Sequence, residues 1–209
     1  MIIVELTRAQ YLLSAQKIKD FDSLQFANQA MLWWDDYYSW SRFPPLCMRE
    51  NDEDICYLFY EVSKNGEYLT IHNVLTPKVH RGKGYAFALL EHLFLTLAHK
   101  NIERFKLLCV SSSIDFYNKL GMNYWGVNHL GQYYCDFKMP RSSLLEIPKI
   151  VEETDVSEFT DENLLKIYEK VRLNGKEFDV KDKKIHDDCL KKMGKRYIFE
   201  KLHTRVKNL

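Results

Sequence analysis

The stretch VHRGKGYA, residues 79–86, holds two glycines and the basic side chains of His80, Arg81 and Lys83 within eight positions. An apolar run precedes it and a longer one follows, so a strand is expected to end there and a helix to begin. The first turn of a helix offers unpaired N–H groups and the positive end of the backbone dipole. Glycines let the backbone come close to an anion, so this stretch reads as a phosphate cradle with added positive charge. It is neither GxxxxGK[ST] nor GxGxxG, the two nucleotide patterns of that kind. The alternative is an ordinary solvated basic loop.

His72 lies in the strand expected to lead into the turn. Strand alternation puts it on one face with Thr70 and Val74. Imidazole titrates near neutral pH and can take a proton from a reacting group, but a structural histidine fits equally well. Glu67 is the other candidate base, or simply a hairpin charge. The seven histidines show no metal spacing, no HExxH occurs, and SSS at 111–113 lacks a GxSxG context. A metal enzyme and a serine hydrolase are therefore not expected.

These residues need elements to hold them. IIVEL (2–6) reads as a strand, 7–21 as a helix, and a second helix around 22–33 runs into WWDDYYSW before Pro44 and Pro45 stop it. That segment carries five large aromatics in eight positions. It suits an amine-bearing ligand through its rings and through Asp35 and Asp36, or is core flanked by surface acids. Strands are expected at 46–50, 55–63 and 68–75, the last two joined by a hairpin at Asn65-Gly66. YAFALLEHLFLTLAHKN is an apolar helix of about four turns. A strand at 105–111, a short helix ending at Gly121 and two final strands complete the series.

In that frame the residues Arg81, Gly82, Lys83, Gly84, Tyr85 and Ala86 match [Q/R]-x-x-G-x-[G/A], the acyl-CoA motif of the GCN5-related N-acetyltransferase (GNAT) superfamily, which the chain resembles. VLTPKVHRGKGYAFALL resembles the wider run around that motif. FYNKLGMNYWG resembles the family's late helix, some thirty residues on. The expected element order (strand, two helices, three strands, helix, strand, helix, two strands) agrees as well. The resemblance covers roughly residues 1–140. It implies an α/β (α+β) fold with a central, mostly antiparallel mixed sheet flanked by helices, and a C-terminal helical extension. It further implies an N-acetyltransferase that moves an acetyl group from acetyl-CoA to an amine. The backbone from Val79 through His80 and Arg81 to Gly84 would hold the pyrophosphate, Tyr85 and Ala86 would open the helix, and Val74 and Leu75 would lie along the pantetheine arm. Tyr117 matches the tyrosine that protonates the departing thiolate; as a plain residue it could equally be a core aromatic. The sequence departs from the family at Val110 and Ser113, where many members carry Asn and Ala.

Composition sets the remaining bounds. Net charge is +1, so the chain as a whole is no polycation, and nucleic acid is not favoured. Five cysteines without a CxxC are expected to be reduced thiols of a cytoplasmic protein. No signal peptide and no stretch long enough to span a membrane is expected. A boundary is expected near Pro140–Pro148, dividing a domain at 1–140 from an extension at 141–209. Residues 149–170 read as acidic and helical, whereas 171–209 hold twelve Lys or Arg against six Asp or Glu. That tail is a solvated face or a contact for nucleic acid or an acidic partner, the second being the basis of an alternative reading as a non-catalytic adaptor. Its aromatics RYIF point to packing on the domain or on a second subunit, which leaves a homodimer open. The acceptor, small molecule or polypeptide, is not identified by the sequence.

Overall fold

A computed structural model describes residues 1–128, 130–153, 156–171 and 205–209. The chain forms two compact units, Met1–Ile102 and Glu103–Leu209. The basic stretch expected between 171 and 209 falls almost wholly outside the described residues.

The first unit holds β1 (Ile2–Glu5), α1 (Arg8–Ala15), α2 (Phe21–Tyr37), β2 (Leu46–Glu50), β3 (Glu53–Val62), β4 (Tyr68–Leu75) and α3 (Tyr85–Leu97). β1 to β4 pair in sequence order, each antiparallel to the next. The expected helix over 7–21 ends early. Thr7 and Gln10 form a capping box at its start. The chain then breaks because Asp20 turns outward to accept from Ser23 N–H and cap α2. α2 runs through the aromatic segment as far as Tyr37, since nothing before Pro44 removes a backbone donor. Two hairpins connect the long strands. Asn65-Gly66 makes the expected one, with Gly66 at φ 76°. The other is a two-residue turn at Asn51 and Asp52, both left-handed, which joins β2 to β3.

α1 and α2 cover one face of this sheet. Tyr11, Ala27, Ala30 and Trp34 from the helices pack with Cys47, Tyr57, Phe59 and Leu75 from the strands. Tyr11 stands edge-on to Tyr57 and Phe59 at 5.4 and 5.0 Å, and its hydroxyl donates to Ala27 O at 3.0 Å, so the buried phenol is satisfied. α3 packs on β2 and β3 and buries Leu89, Leu90, Leu93, Phe94 and Leu97. Each such side chain contributes roughly 1.5–3 kcal/mol when fully buried.

The second unit holds β5 (Arg104–Cys109), α4 (Ile114–Lys119), β6 (Gly126–Val127), β7 (Tyr133–Lys138), α5 (Ile147–Glu153) and α6 (Asp161–Val171). β7 pairs antiparallel with β5 on one side and β6 on the other. Gly121 at φ 81° ends the α4 segment, and Met122 N–H closes back on Tyr117 O at 3.1 Å. Trp125, Tyr134, Phe159, Leu164 and Ile167 form a core there. Arg104 pairs with the fully buried Asp136 at 2.7 Å and lies over the Phe159 ring. Among the described residues seven strands, antiparallel in every pairing within either unit and flanked by helices, make the α/β architecture expected from the sequence. Among the described residues no helix is long and apolar enough to cross a membrane.

Candidate active site

The glycine-rich turn follows β4 directly. Val74 and Leu75 end that strand, paired with Leu58 and Tyr57 of β3. Pro77 starts a single 3-10 turn, Lys78–His80, and the chain passes through Arg81 to two left-handed glycines, Gly82 at φ 79° and Gly84 at φ 81°. Only glycine adopts that conformation without strain, and it does so here twice within three residues. Gly84 is the N-cap of α3 and no side chain caps the first turn. The N–H groups that open this helix therefore face outward beside an exposed stretch, Arg81–Gly84.

Several side chains hold the turn in place. The Arg81 Nε donates to Thr76 O at 2.9 Å, folding the guanidinium back over the end of the strand. Lys78 is tied to α2 twice, by its backbone N–H on Asp20 Oδ2 and by its ammonium on Asp22 at 2.6 Å. His80 Nε2 lies 3.3 Å from Glu53, and the Tyr85 hydroxyl donates to Glu50 Oε2 at 3.2 Å. Glu50 and Glu53 flank the Asn51–Asp52 turn, so the tip of the β2–β3 hairpin braces the glycine turn from beside it. His80 and Tyr85 thus use their side chains on the scaffold and present backbone to the turn. Lys83 is exposed.

His72 sits on β4, where the register against β3 slips. Phe59 pairs with Asn73 and Tyr60 pairs with Ile71, which makes His72 the extra residue of a β-bulge. The bulge corrects the alternation read from the sequence. Val74, opposite Leu58, turns to the other face, while Thr70, opposite Glu61, stays with His72 on the face covered by α2. There the imidazole packs on Trp33 at 4.8 Å, Trp34 at 5.5 Å and Tyr38 at 4.8 Å, and its Nε2 is 3.6 Å from Glu61 Oε2. Burial, then the charge and hydrogen bond of Glu61, push the Tyr38 phenol up to about 12. Trp33 remains 37% exposed, so the cluster opens toward solvent.

Glu67 stands elsewhere. It is exposed in the hairpin turn, its N–H on Asn65 Oδ1, and seven residues of strand, about 23 Å, separate it from Val74. Asp35 is already engaged. Arg8 grips it with Nε at 2.7 Å and Nη2 at 2.7 Å, and the Trp40 indole N–H donates to it at 2.7 Å. The Arg8 hydrogen bond holds the Asp35 carboxyl below its ordinary range. The sequence expectation that Asp35 serves an amine ligand gives way to a structural ion pair that closes α1 onto α2. Tyr38 lies in the WWDDYYSW segment noted in the sequence, whereas Glu61 was not singled out there; the sequence signal for Glu61 is the alternation of β3, which puts it on the face of Tyr57 and Phe59.

Tyr117 belongs to α4 of the second unit. It is 8% exposed and lies edge-on to Phe116 at 5.0 Å. Burial, followed by the neighbouring Cys109 and Cys135 thiols, pushes its phenol well up, so it carries its proton at neutral pH. The four described cysteines, Cys47, Cys56, Cys109 and Cys135, are buried free thiols.

Comparison with known proteins agrees with this frame. No curated protein matches the sequence. Among solved structures, an acetyltransferase from Thermus thermophilus superposes with a TM-score of 0.52 at 13% identity, over 66% of this chain and 96% of that one. The GNAT domain of S. lividans PAT superposes with a TM-score of 0.51 at 18% identity, over 65% of this chain and 89% of that one. At such identities the likeness is one of fold. The model of the acetyltransferase (GNAT) family matches residues 11–122, more than half of the sequence and including the whole glycine turn, and the chain belongs to that family.

Proposed function

We propose that the protein is an N-acetyltransferase that takes the acetyl group of acetyl-CoA and places it on an aliphatic amine. Membership of the family makes it an acyl-transfer enzyme. The donor and the acceptor are our reading. The observation that carries the reading is the pair of left-handed glycines set against the uncapped start of α3. It is a rigid row of backbone donors at the positive end of a helix, suited to a pyrophosphate. The backbone of Val79, His80, Arg81, Gly82, Lys83 and Gly84 is assigned to the phosphates, with Tyr85 and Ala86 opening the helix above them. The pantetheine arm is assigned to Val74 and Leu75.

Of the two sequence candidates for base, His72 is favoured over Glu67. It lies on the same strand as Val74, two residues away, whereas Glu67 lies at the far end of β4. In the proposed step, neutral His72 takes a proton from the acceptor ammonium. The freed nitrogen lone pair attacks the thioester carbonyl carbon, and backbone N–H near Val74 stabilises the oxyanion. The C–S bond then breaks, the thiolate takes a proton from Tyr117, and the acetylated nitrogen loses its second proton to solvent. Residues 1–140 are assigned to this work, and 141–209 are read as an extension.

The test is release of CoA thiol from acetyl-CoA over a panel of peptide N-termini, lysine side chains and small primary amines. Release that depends on an amine supports the reading. Saturable acetyl-CoA binding with no release for any amine removes the acceptor class, and absence of binding removes the donor.

A further inference from the structure

We propose that Asp20 is a positioning residue for the glycine-rich turn: its one carboxylate caps two helical starts, α2 through Oδ1 and the 3-10 turn Lys78–His80 through Oδ2, and so fixes the point from which the chain enters Gly82 and Gly84. The inference rests on the assignment of that turn to the phosphates of acetyl-CoA and adds a residue which that assignment does not contain. Three observations carry it. Ser23 N–H donates to Asp20 Oδ1 at 2.9 Å, which caps α2. Lys78 N–H, 58 residues away in the chain, donates to Asp20 Oδ2 at 3.2 Å. The segment that leads into Asp20 is itself anchored, because Ile18 is buried in the core formed by α1, α2 and the strands.

The need for such an acceptor follows from the turn. His80 N–H closes on Pro77 O at 2.9 Å and Arg81 N–H on Lys78 O at 3.2 Å. Lys78 N–H is the first donor of the turn, so no carbonyl inside the turn can take it. Pro77 ahead of it supplies no side-chain cap. Asp20 meets that donor from outside. The ion pair of Lys78 Nζ with Asp22 lies beside this bond, but its side chains are 51% and 69% exposed, and exposed pairs of long side chains contribute little. A backbone N–H has no rotamer freedom to lose, so the Asp20 bond is the one that orders the chain. Because α2 is held by the buried Ala27, Ala30 and Trp34, the carboxylate is a fixed point and the turn is referred to it.

Calorimetric titration of the full chain with acetyl-CoA, alongside thermal melting, tests this with Asp20→Ser. Serine equals aspartate as an N-cap, so α2 keeps its cap and Tm should change little. The shorter side chain cannot also reach Lys78 N–H. Loss of that charge-assisted bond should raise Kd for acetyl-CoA roughly 10-fold, since the ligand must then order the turn itself. The sign is diagnostic. Removing a negative charge beside an anionic ligand would by itself tighten binding, so a purely electrostatic role predicts a lower Kd. A second pair of variants leaves Asp20 in place. Lys78→Pro removes the N–H at a helical first position that proline tolerates, and Lys78→Met removes only the ammonium. Lys78→Pro should bind acetyl-CoA more weakly than Lys78→Met, and this comparison decides the matter if Asp20→Ser fails to fold. A Kd unchanged or lowered in Asp20→Ser, or equal in the two Lys78 variants, overturns the inference while the donor reading stands. No binding by the wild-type protein removes the donor reading and the inference with it.

Discussion

Replacing both Gly82 and Gly84 with alanine separates the loop's function from its stability. Both residues have positive φ, 79° and 81°, and a Cβ added at either meets nothing within 4 Å. The cost is therefore backbone strain without steric clash, roughly 1–2 kcal/mol per residue, or about 2–4 kcal/mol for the pair. The chain can bear that strain, losing roughly 2–4 °C in Tm per kcal/mol. Or it can relax the turn, and the row of N–H groups is lost. Loss of one backbone bond to a charged phosphate costs about 1.5–3 kcal/mol. That corresponds to a Kd for acetyl-CoA raised roughly 10- to 150-fold. Gly66 is the internal control. It has φ 76° and equally open space, but it sits in the Asn65-Gly66 hairpin at the far end of β4. Gly66→Ala should lower Tm by a similar amount per residue and leave acetyl-CoA affinity unchanged. Calorimetric titration with acetyl-CoA, alongside thermal melting of all three proteins, reads both quantities. An unchanged Kd in the folded double variant would refute the placement of the pyrophosphate on this turn.

Three further outcomes are expected. Gly121→Ala should cost more than Gly66→Ala in denaturant unfolding, because its Cβ would come within 2.6 Å of the Pro148 ring in addition to the strain at φ 81°; an equal cost would show that Pro148 yields freely. Tyr117→Phe should lower kcat by about 100-fold while leaving acetyl-CoA binding in place, and unchanged turnover would end the proposed role of this phenol. Asp54→Asn should destabilise the protein at neutral pH and progressively less in acid. Burial opposes ionisation of Asp54, but hydrogen bonds from Arg49, Ser14 and Cys47 outweigh it and hold the carboxyl below its ordinary 3.8. A lowered carboxyl contributes stability above its unfolded value and loses it as pH falls through the folded one. The gap in urea midpoint between wild type and variant should therefore be full above about pH 5 and close below the folded value; a gap independent of pH would contradict the assigned ionisation.

Local elements were legible before any coordinates. The glycine turn, the Asn65-Gly66 hairpin, the end of α4 at Gly121 and the apolar run of α3 each depend on residues adjacent in the chain. Left-handed glycines and helical apolar spacing declare themselves within a few positions. What the sequence did not show is what meets what. Asp35 looked available for a ligand, and its capture by Arg8, 27 residues away, follows from the crossing of α1 on α2. His72 looked like one residue of a regular strand, but a bulge at His72 turns it toward Glu61 of β3 and under Tyr38, the residue that follows α2. The sequence by itself determined the order of elements and the backbone chemistry of the phosphate turn, because φ and local hydrogen bonding are decided by near neighbours. Only the tertiary structure decided which acid pairs with which base, because that depends on strand register and helix packing between residues far apart in the chain.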